Sequence, residues 1–297
     1  MHFDYYDDIL ALTPLWKGER FGDGRPKVPE EYLAALREMT MEEVWKYIYK
    51  QGYEFQFQGD MHLLHQGKKM IGRAVTCSFC PGRPDLNQVM NGIGASEGRI
   101  GVYNQWVVDS LQEHDVLVAD MFDKIYKGTF LGGNLTTSIA KRTKDGGAVI
   151  WGGIRDIEQM SKIGAVQVYY RGMDPTPIRD FIMTSFNGPT TIGKAICLPG
   201  DVVFGNDAGV LFIPSHLVEA AVKGAAKMHA KDIFGFEMLS TNVYTTAQID
   251  LAVWPKEMLD RMCRFLDQDE RCAAYRSVDW SEEYALAEKE KGSSESA

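Results

Sequence analysis

Long apolar runs are missing from this 297-residue sequence, in which no stretch reaches the roughly 18 to 20 apolar residues that a membrane helix needs. Met1 to Asp8 is polar and acidic, unlike a secretory leader. A soluble, cytoplasmic protein with no membrane partner is expected. Basic charge is short as well. Lys and Arg number 32 against 41 Asp and Glu, a net charge of -9, with acids gathered in Asp267 to Glu270 and Glu282 to Glu295. Such a balance repels phosphate backbones, so nucleic acid is not an expected partner. Cysteines number only five, an odd count that suits a reducing compartment better than a disulfide framework. Cys77-Ser78-Phe79-Cys80 has metal-ligand spacing, but with no second pair or nearby His it reads as buried strand packing rather than a zinc site.

Familiar catalytic motifs are also lacking. The six His residues (His2, His62, His65, His114, His216, His229) include no His-Glu-x-x-His, and His62 with His65 reads as polar surface. Gly92, Gly94 and Gly98 miss the spacing of a dinucleotide loop and follow a poor strand, and neither a P-loop nor a Gly-x-Ser-x-Gly elbow occurs. Internal repeats and coiled-coil heptads are absent too.

What remains is an ordinary globular mixture, 45% hydrophobic and 25% charged, enough for one core. Residues 1–38 carry Pro14, Pro26, Pro29 and glycines between Gly18 and Gly24, with too few periodic apolar positions for a core element; they read as an extension that wraps or bridges subunits. Thr40-Met41-Glu42-Glu43 forms a capping box, and Val44, Ile48 and Tyr49 repeat on one face, which predicts a helix ending before Gly52. Short runs rich in Val, Ile and aromatics at Gly72 to Phe79, Val116 to Ala119, Ala148 to Trp151 and Val166 to Tyr170 read as buried strands. Helical faces lie between the later ones, at Leu135 to Lys144 and Ile157 to Ile163. The alternation from Val116 to Tyr170 is an α/β pattern. Further on, Thr191 to Leu198, Asp201 to Phe204 and Val210 to Ile213 predict strands, Ser215 to about Lys231 a long helix, and the final forty residues helix followed by disorder from Gly292 to Ala297. The expected divisions are an extension over 1–38, a catalytic domain over 39–250 and a helical extension over 251–297.

Chemistry concentrates between Gly128 and Asp156. Gly132-Gly133-Asn134 stands just before a helix, so the first free amides of that helix and the two missing side chains make a site for a carboxylate or phosphate. The next strand-to-helix loop, Gly152-Gly153-Ile154-Arg155-Asp156, follows the adjacent predicted strand and shares the crevice at the carboxyl edge of the sheet. Arg155 offers a planar fork for a substrate carboxylate, and Asp156 a hard oxygen ligand for Mg²⁺ or a similar ion. Plainer readings stay open from spacing alone: Asp156 and Asn134 as helix N-caps, and Arg155 as a surface ion-pair partner.

These residues, with twenty positions between Asn134 and Arg155, resemble the RraA-like family, which includes 4-hydroxy-4-methyl-2-oxoglutarate aldolases and the regulator of ribonuclease activity A. Flanking segments agree: Gly72-Arg73-Ala74-Val75-Thr76, Asp115 to Asp120, Gly146 to Ile150, Gly164, and Gly200 to Val210. The resemblance covers roughly residues 40 to 230. It implies a swivelling β/β/α fold with parallel βαβ units and an added β layer, a homotrimer or dimer of trimers, and a site in the cleft between neighbouring subunits. It also implies that Asp156 holds the metal, Mg²⁺ or Mn²⁺, that Arg155 contacts substrate, and that amides of Gly132, Gly133, Asn134 and Leu135 receive the carboxylate of pyruvate.

The function implied is a divalent-metal-dependent lyase, aldolase or decarboxylase, cleaving a carbon–carbon bond in a small 2-oxo acid through an enolate stabilised by the cation and Arg155, and yielding pyruvate. One departure stands out. The aldolase pattern has an acidic residue where this chain has Asn134, and an amide takes no proton. Either another carboxylate, such as Asp120 or one from a neighbouring subunit, orients the water, or a related reaction proceeds through the same enolate. Of such reactions oxaloacetate decarboxylation, which needs less proton transfer, is the easier activity to retain. The alternatives are a non-catalytic regulator like the ribonuclease-binding branch, or a lyase of a sugar-derived or aromatic-pathway acid. The methyltransferase label sometimes attached to the family finds no support, since no glycine-rich adenosylmethionine loop is present.

Overall fold

In this computed structural model residues 3–294 are described, with the side chains of 291–294 left aside. The chain divides into two compact units, Met1–Ala220 and Ala221–Ala297. The first opens with helices α1 (Tyr6–Leu12), α2 (Glu30–Glu38) and α3 (Met41–Lys50). Short strands β1 (Phe57–Gln58) and β2 (His62–Leu63) follow, then β3 (Met70–Pro81), α4 (Pro84–Ser96), α5 (Tyr103–Ser110), β4 (Asp115–Leu131), α6 (Gly133–Thr143), β5 (Gly147–Ile154), α7 (Ile157–Met160) and β6 (Gln167–Met173). Strands β7 (Phe181–Phe186), β8 (Thr190–Ile192), β9 (Ala195–Cys197), β10 (Val202–Asn206) and β11 (Gly209–Ile213) complete it, and α8 (Val218–Ser240) carries the chain into the second unit.

The expected α/β architecture is present. Among the described residues a nine-stranded sheet runs β1-β11-β10-β3-β4-β5-β6-β2, with β7 also on β3. Its centre, β3 to β6, is parallel, and the outer strands are antiparallel. Parallel neighbours need crossovers, and α4 with α5, then α6, then α7 supply them as βαβ units. Because side chains alternate along a strand, the sheet has two buried faces. Leu117, Ala119, Ala148 and Ile150 pack with Ile139 of α6 and Met160 of α7, whereas Val116, Val118 and Val149 pack with Ile192, Ala195 and Cys197 of the β8–β9 hairpin. That hairpin is the added β layer.

Local expectations meet their geometry at α3, where Thr40 and Glu43 cap each other and the helix stops at Lys50. Other boundaries move. The predicted strand at Thr191 to Leu198 breaks into β8 and β9 at Gly193, whose φ of +58° is a left-handed turn geometry. Strand β4 extends far past Ala119, because bulges after Asp120 and Lys124 let it keep pairing with β5 as far as Leu131. The N-terminal 38 residues, expected to supply no core element, do bury apolar side chains. Ile9, Val28, Leu33 and Leu36 are buried, with Leu33 and Leu36 one turn apart on α2, a spacing too sparse to stand out among the prolines.

The second unit contains α9 (Thr246–Ile249), α10 (Lys256–Gln268), a 3₁₀ segment at Glu270–Tyr275 and α11 (Ser281–Ser294). Phe234, Trp254, Met258, Leu259, Met262, Leu266 and Trp280 form its own core. The disorder expected from Gly292 gives way to helix as far as Ser294, and residues 295–297 lie outside the described residues. No helix among the described residues is long and apolar enough to cross a membrane. All five cysteines are free.

Candidate active site

Strands β4 and β5 end side by side, with Leu131 opposite Ile154, and the loop after each begins there. The Arg155 N–H donates to the Leu131 carbonyl at 3.0 Å, which ties the second loop to the end of the first strand. Asp156 then takes a left-handed conformation, φ 58° and ψ 37°, a geometry that a short polar side chain tolerates better than most. This turn aims its carboxylate away from its own helix α7, which it does not cap, and towards α6. Asp156 Oδ2 accepts from the Gly133 N–H at 3.2 Å. A carboxylate is favoured there, because the first amides of a helix are unpaired and carry its positive end.

The glycines explain the closeness of the two loops. A Cβ on Gly132 would collide with Asp156 Oδ2 and crowd Arg155 Nε at 3.1 Å, and one on Gly133 would collide with the Gln159 carboxamide. Their first service is therefore to let loop approach loop, with room for a ligand coming second. Gln159 was absent from the sequence reading. Its signal was its place three residues after Asp156, on the same side of α7.

Arg155, Asp156, Gly132, Gly133, Asn134 and Leu135 thus sit in one place. Asn134 lies inside the first turn of α6 and is exposed, so it caps nothing; the N-cap is Gly132. The amides of Asn134 and Leu135 make no hydrogen bond among the described residues. Arg155 and Asp156 approach only to 3.8 Å, Nε to Oδ2, with side chains 41% and 34% exposed. A pair so long and solvated contributes about 0–1 kcal/mol to stability, which leaves both charges available to something else. Asp156 Oδ1 makes no hydrogen bond among the described residues.

Whether these groups suit a metal is a question of donors. Among the described residues no three His, Cys, Asp or Glu side chains gather to hold an ion. A site that completes itself from protein alone, as for structural zinc, is therefore missing here. One accessible carboxylate oxygen does fit a hard ion such as Mg²⁺, which keeps several waters and takes the rest of its shell from substrate oxygens. Asp120, a carboxylate on the same strand β4, is spent elsewhere. It accepts from the Phe122 N–H at 2.9 Å and from the Thr191 hydroxyl at 2.8 Å, on the hairpin side of the sheet.

A family model for RraA-like proteins, described as Aldolase/RraA, matches residues 43–212, more than half of the chain and both loops. The chain belongs to the RraA-like family. Its match to the protein DlpA of Legionella pneumophila subsp. pneumophila is 26% identical over 160 residues, 54% of this RraA-like chain but only 24% of DlpA. Among solved structures it is similar to Streptomyces coelicolor RraAS2, described as an unusual member of the RNase ES inhibitor RraA protein family, with a TM-score of 0.60, 21% identity and coverage of 72% of this chain and 100% of that one. An uncharacterised protein from Pseudomonas syringae pv. tomato gives a TM-score of 0.59 at 16% identity, covering 75% and 93%. At such identities these structures speak for the RraA-like fold, which embraces aldolases and ribonuclease regulators alike.

Proposed function

We propose that the loop pair serves a divalent-metal-dependent lyase, an aldolase or decarboxylase that breaks a carbon–carbon bond in a small 2-oxo acid and releases pyruvate. The observation that carries this reading is the Asp156 carboxylate, held at one oxygen by the Gly133 N–H and open at the other, beside Arg155 and two unpaired helix amides. Asp156 would hold Mg²⁺ or Mn²⁺, which when bound supplies Lewis-acid polarisation of the keto oxygen. The Arg155 guanidinium, a planar fork of donors, binds a carboxylate or the negative charge that develops as the bond breaks. The Asn134 and Leu135 amides present the positive end of α6 to a carboxylate.

Asn134 decides between reactions. Its carboxamide donates and accepts hydrogen bonds but takes up no proton near neutral pH, and Asp120 is bound to the hairpin side, so with Asp156 assigned to the cation the two loops hold no second carboxylate to act as a base. Decarboxylation of oxaloacetate asks less of such a base than aldol cleavage does, and we place it first. The family resemblance adds a homotrimer, or a dimer of trimers, with a neighbouring subunit closing the cleft.

The test is a screen of oxaloacetate and 4-hydroxy-2-oxo acids with coupled pyruvate detection, with Mg²⁺, with Mn²⁺ and with EDTA. Pyruvate release that needs the cation and disappears in Asp156→Ala is the expected result. Release indifferent to EDTA, or retained in that variant, refutes the reading; no release from any of these acids, with no metal binding, leaves the non-catalytic regulator in its place.

A further inference from the structure

A cavity of about 620 Å³ opens at the other end of the parallel strands, and neither loop of the candidate site lines it. Its floor includes Arg73, paired in register with Asp115 at the first residue of β4, whereas Arg155 and Asp156 follow the last residue of β5. Its walls come from the N-terminal segment, through Leu15, Trp16, Lys27 and Val28.

Arg73 is the informative residue. It is 2% exposed, and no carboxylate lies within ion-pair distance among the described residues. Nε donates to the Val28 carbonyl at 2.8 Å and Nη1 to the Glu113 carbonyl at 3.4 Å, while the Phe21 ring covers the guanidinium at 5.4 Å. Nη2 makes no hydrogen bond among the described residues and yet is not sealed from solvent. Buried cations are ordinarily paired, so an open donor on this one points to an anion.

Carboxylates also reach the lining, and burial decides which charge prevails. Glu19 is neutralised by Lys27 at 2.8 Å and its side chain is 70% exposed, as is that of Glu30; Glu219 is exposed as well. Charges in water are heavily screened, and the field of a charge beneath the protein surface is not. We propose that this cavity is a second small-molecule site, taking a ligand with one carboxylate on an apolar body about the size of an aromatic ring, with Arg73 as the anion contact. Leu15, Trp16 and Val28 supply the apolar wall, and the volume lies within the usual range of about 300–1,000 Å³ for ligand pockets.

The test uses the full chain and ¹⁹F NMR of 4-fluorobenzoate, with 4-fluorobenzyl alcohol as the uncharged counterpart. Titration should show saturable binding of the acid, at least about tenfold tighter than the alcohol, the scale of one charged contact. Arg73→Met should weaken it by a similar factor, as should Leu15→Glu, a change at an exposed position that leaves the hydrogen bonds of the N-terminal segment intact. Should Arg73→Met fail to fold, Leu15→Glu decides. Arg155→Met and Asp156→Ala should leave binding unchanged, which separates this site from the loop pair. Equal affinity for acid and alcohol, undiminished binding in Leu15→Glu, or loss of binding in Arg155→Met overturns the proposal.

Discussion

The two ends of the parallel strands use the same residue pair to opposite effect. At the amino end Arg25 is fully buried and meets Asp115 with both terminal nitrogens, at 2.9 and 3.0 Å, while its Nε meets Asp23 at 2.7 Å. Burial opposes its charge, yet the carboxylates hold its pKa above the usual guanidinium value. At the carboxyl end Arg155 and Asp156 are half-exposed, 3.8 Å apart and joined by no hydrogen bond. The first arrangement consumes its charges in holding the N-terminal segment to the sheet. The second leaves its charges unspent. Residue type does not separate an Arg–Asp pair that stabilises from one that can bind; burial and the completeness of the hydrogen bonding do.

The comparison can be broken at its strong end first. Arg25→Met leaves the Asp115 carboxylate buried without its partner, so urea denaturation should show a loss of roughly 3–5 kcal/mol. A loss below about 1 kcal/mol, the surface-pair range, would mean that the amino-end pair is as dispensable as a surface one.

Asp156→Ala is the mirror experiment. Pyruvate release should fall by at least about a hundredfold, as when one electrostatic contact to a transition state is removed. Stability should change by only about 0.5–2 kcal/mol, since what folding loses is a cap on α6. A large loss of stability would place Asp156 with Arg25 as a structural charge.

Next in size is a pH effect at the amino end. Asp201 is buried, and desolvation raises its carboxyl to about 7 against the pull of the Leu198 and Ser215 N–H groups, which donate to it at 2.9 and 3.2 Å. A folded state that keeps a proton the unfolded chain has already released loses stability as pH rises. The decline should run from about pH 4 to about pH 7 and then level off. Urea midpoints measured across that window should fall in the wild-type chain and flatten in Asp201→Asn, while Asp156→Ala should leave the slope as it is. The smallest effect concerns Asn134→Asp, which adds a proton acceptor to an exposed turn. Aldol cleavage should rise relative to oxaloacetate decarboxylation by a fewfold, read as the ratio of the two rates, and an unchanged ratio would show that position 134 does not choose the reaction.

The carboxyl end was legible in the sequence because its causes are local. Two strands of Val, Ile and Ala, each followed by a pair of glycines and a helix start, announce two adjacent loops, and the RraA-like resemblance marks the same residues. The amino end was not. Arg25 and Asp115 are 90 positions apart, and Arg25 stands among prolines and glycines that read as an extension. Leu33 and Leu36 are too few to announce a core helix, yet they are buried, on a helix that lies against β3, a strand inside the sheet. The bulges that lengthen β4 were likewise hidden, since they arise from pairing with β5 rather than from composition. Gln159 fell between these cases, local in sequence but meaningful only once Gly133 lay beneath it.

The central claim, that the loose pair keeps Asp156 free for a cation, meets its most direct test in Mn²⁺ binding followed by electron paramagnetic resonance, with oxalate added as a mimic of a 2-oxo acid. The wild-type chain should take up one Mn²⁺ per site, more tightly with oxalate, and Asp156→Ala should lose it while remaining folded. Equal Mn²⁺ uptake by the two chains, with or without oxalate, would contradict the claim.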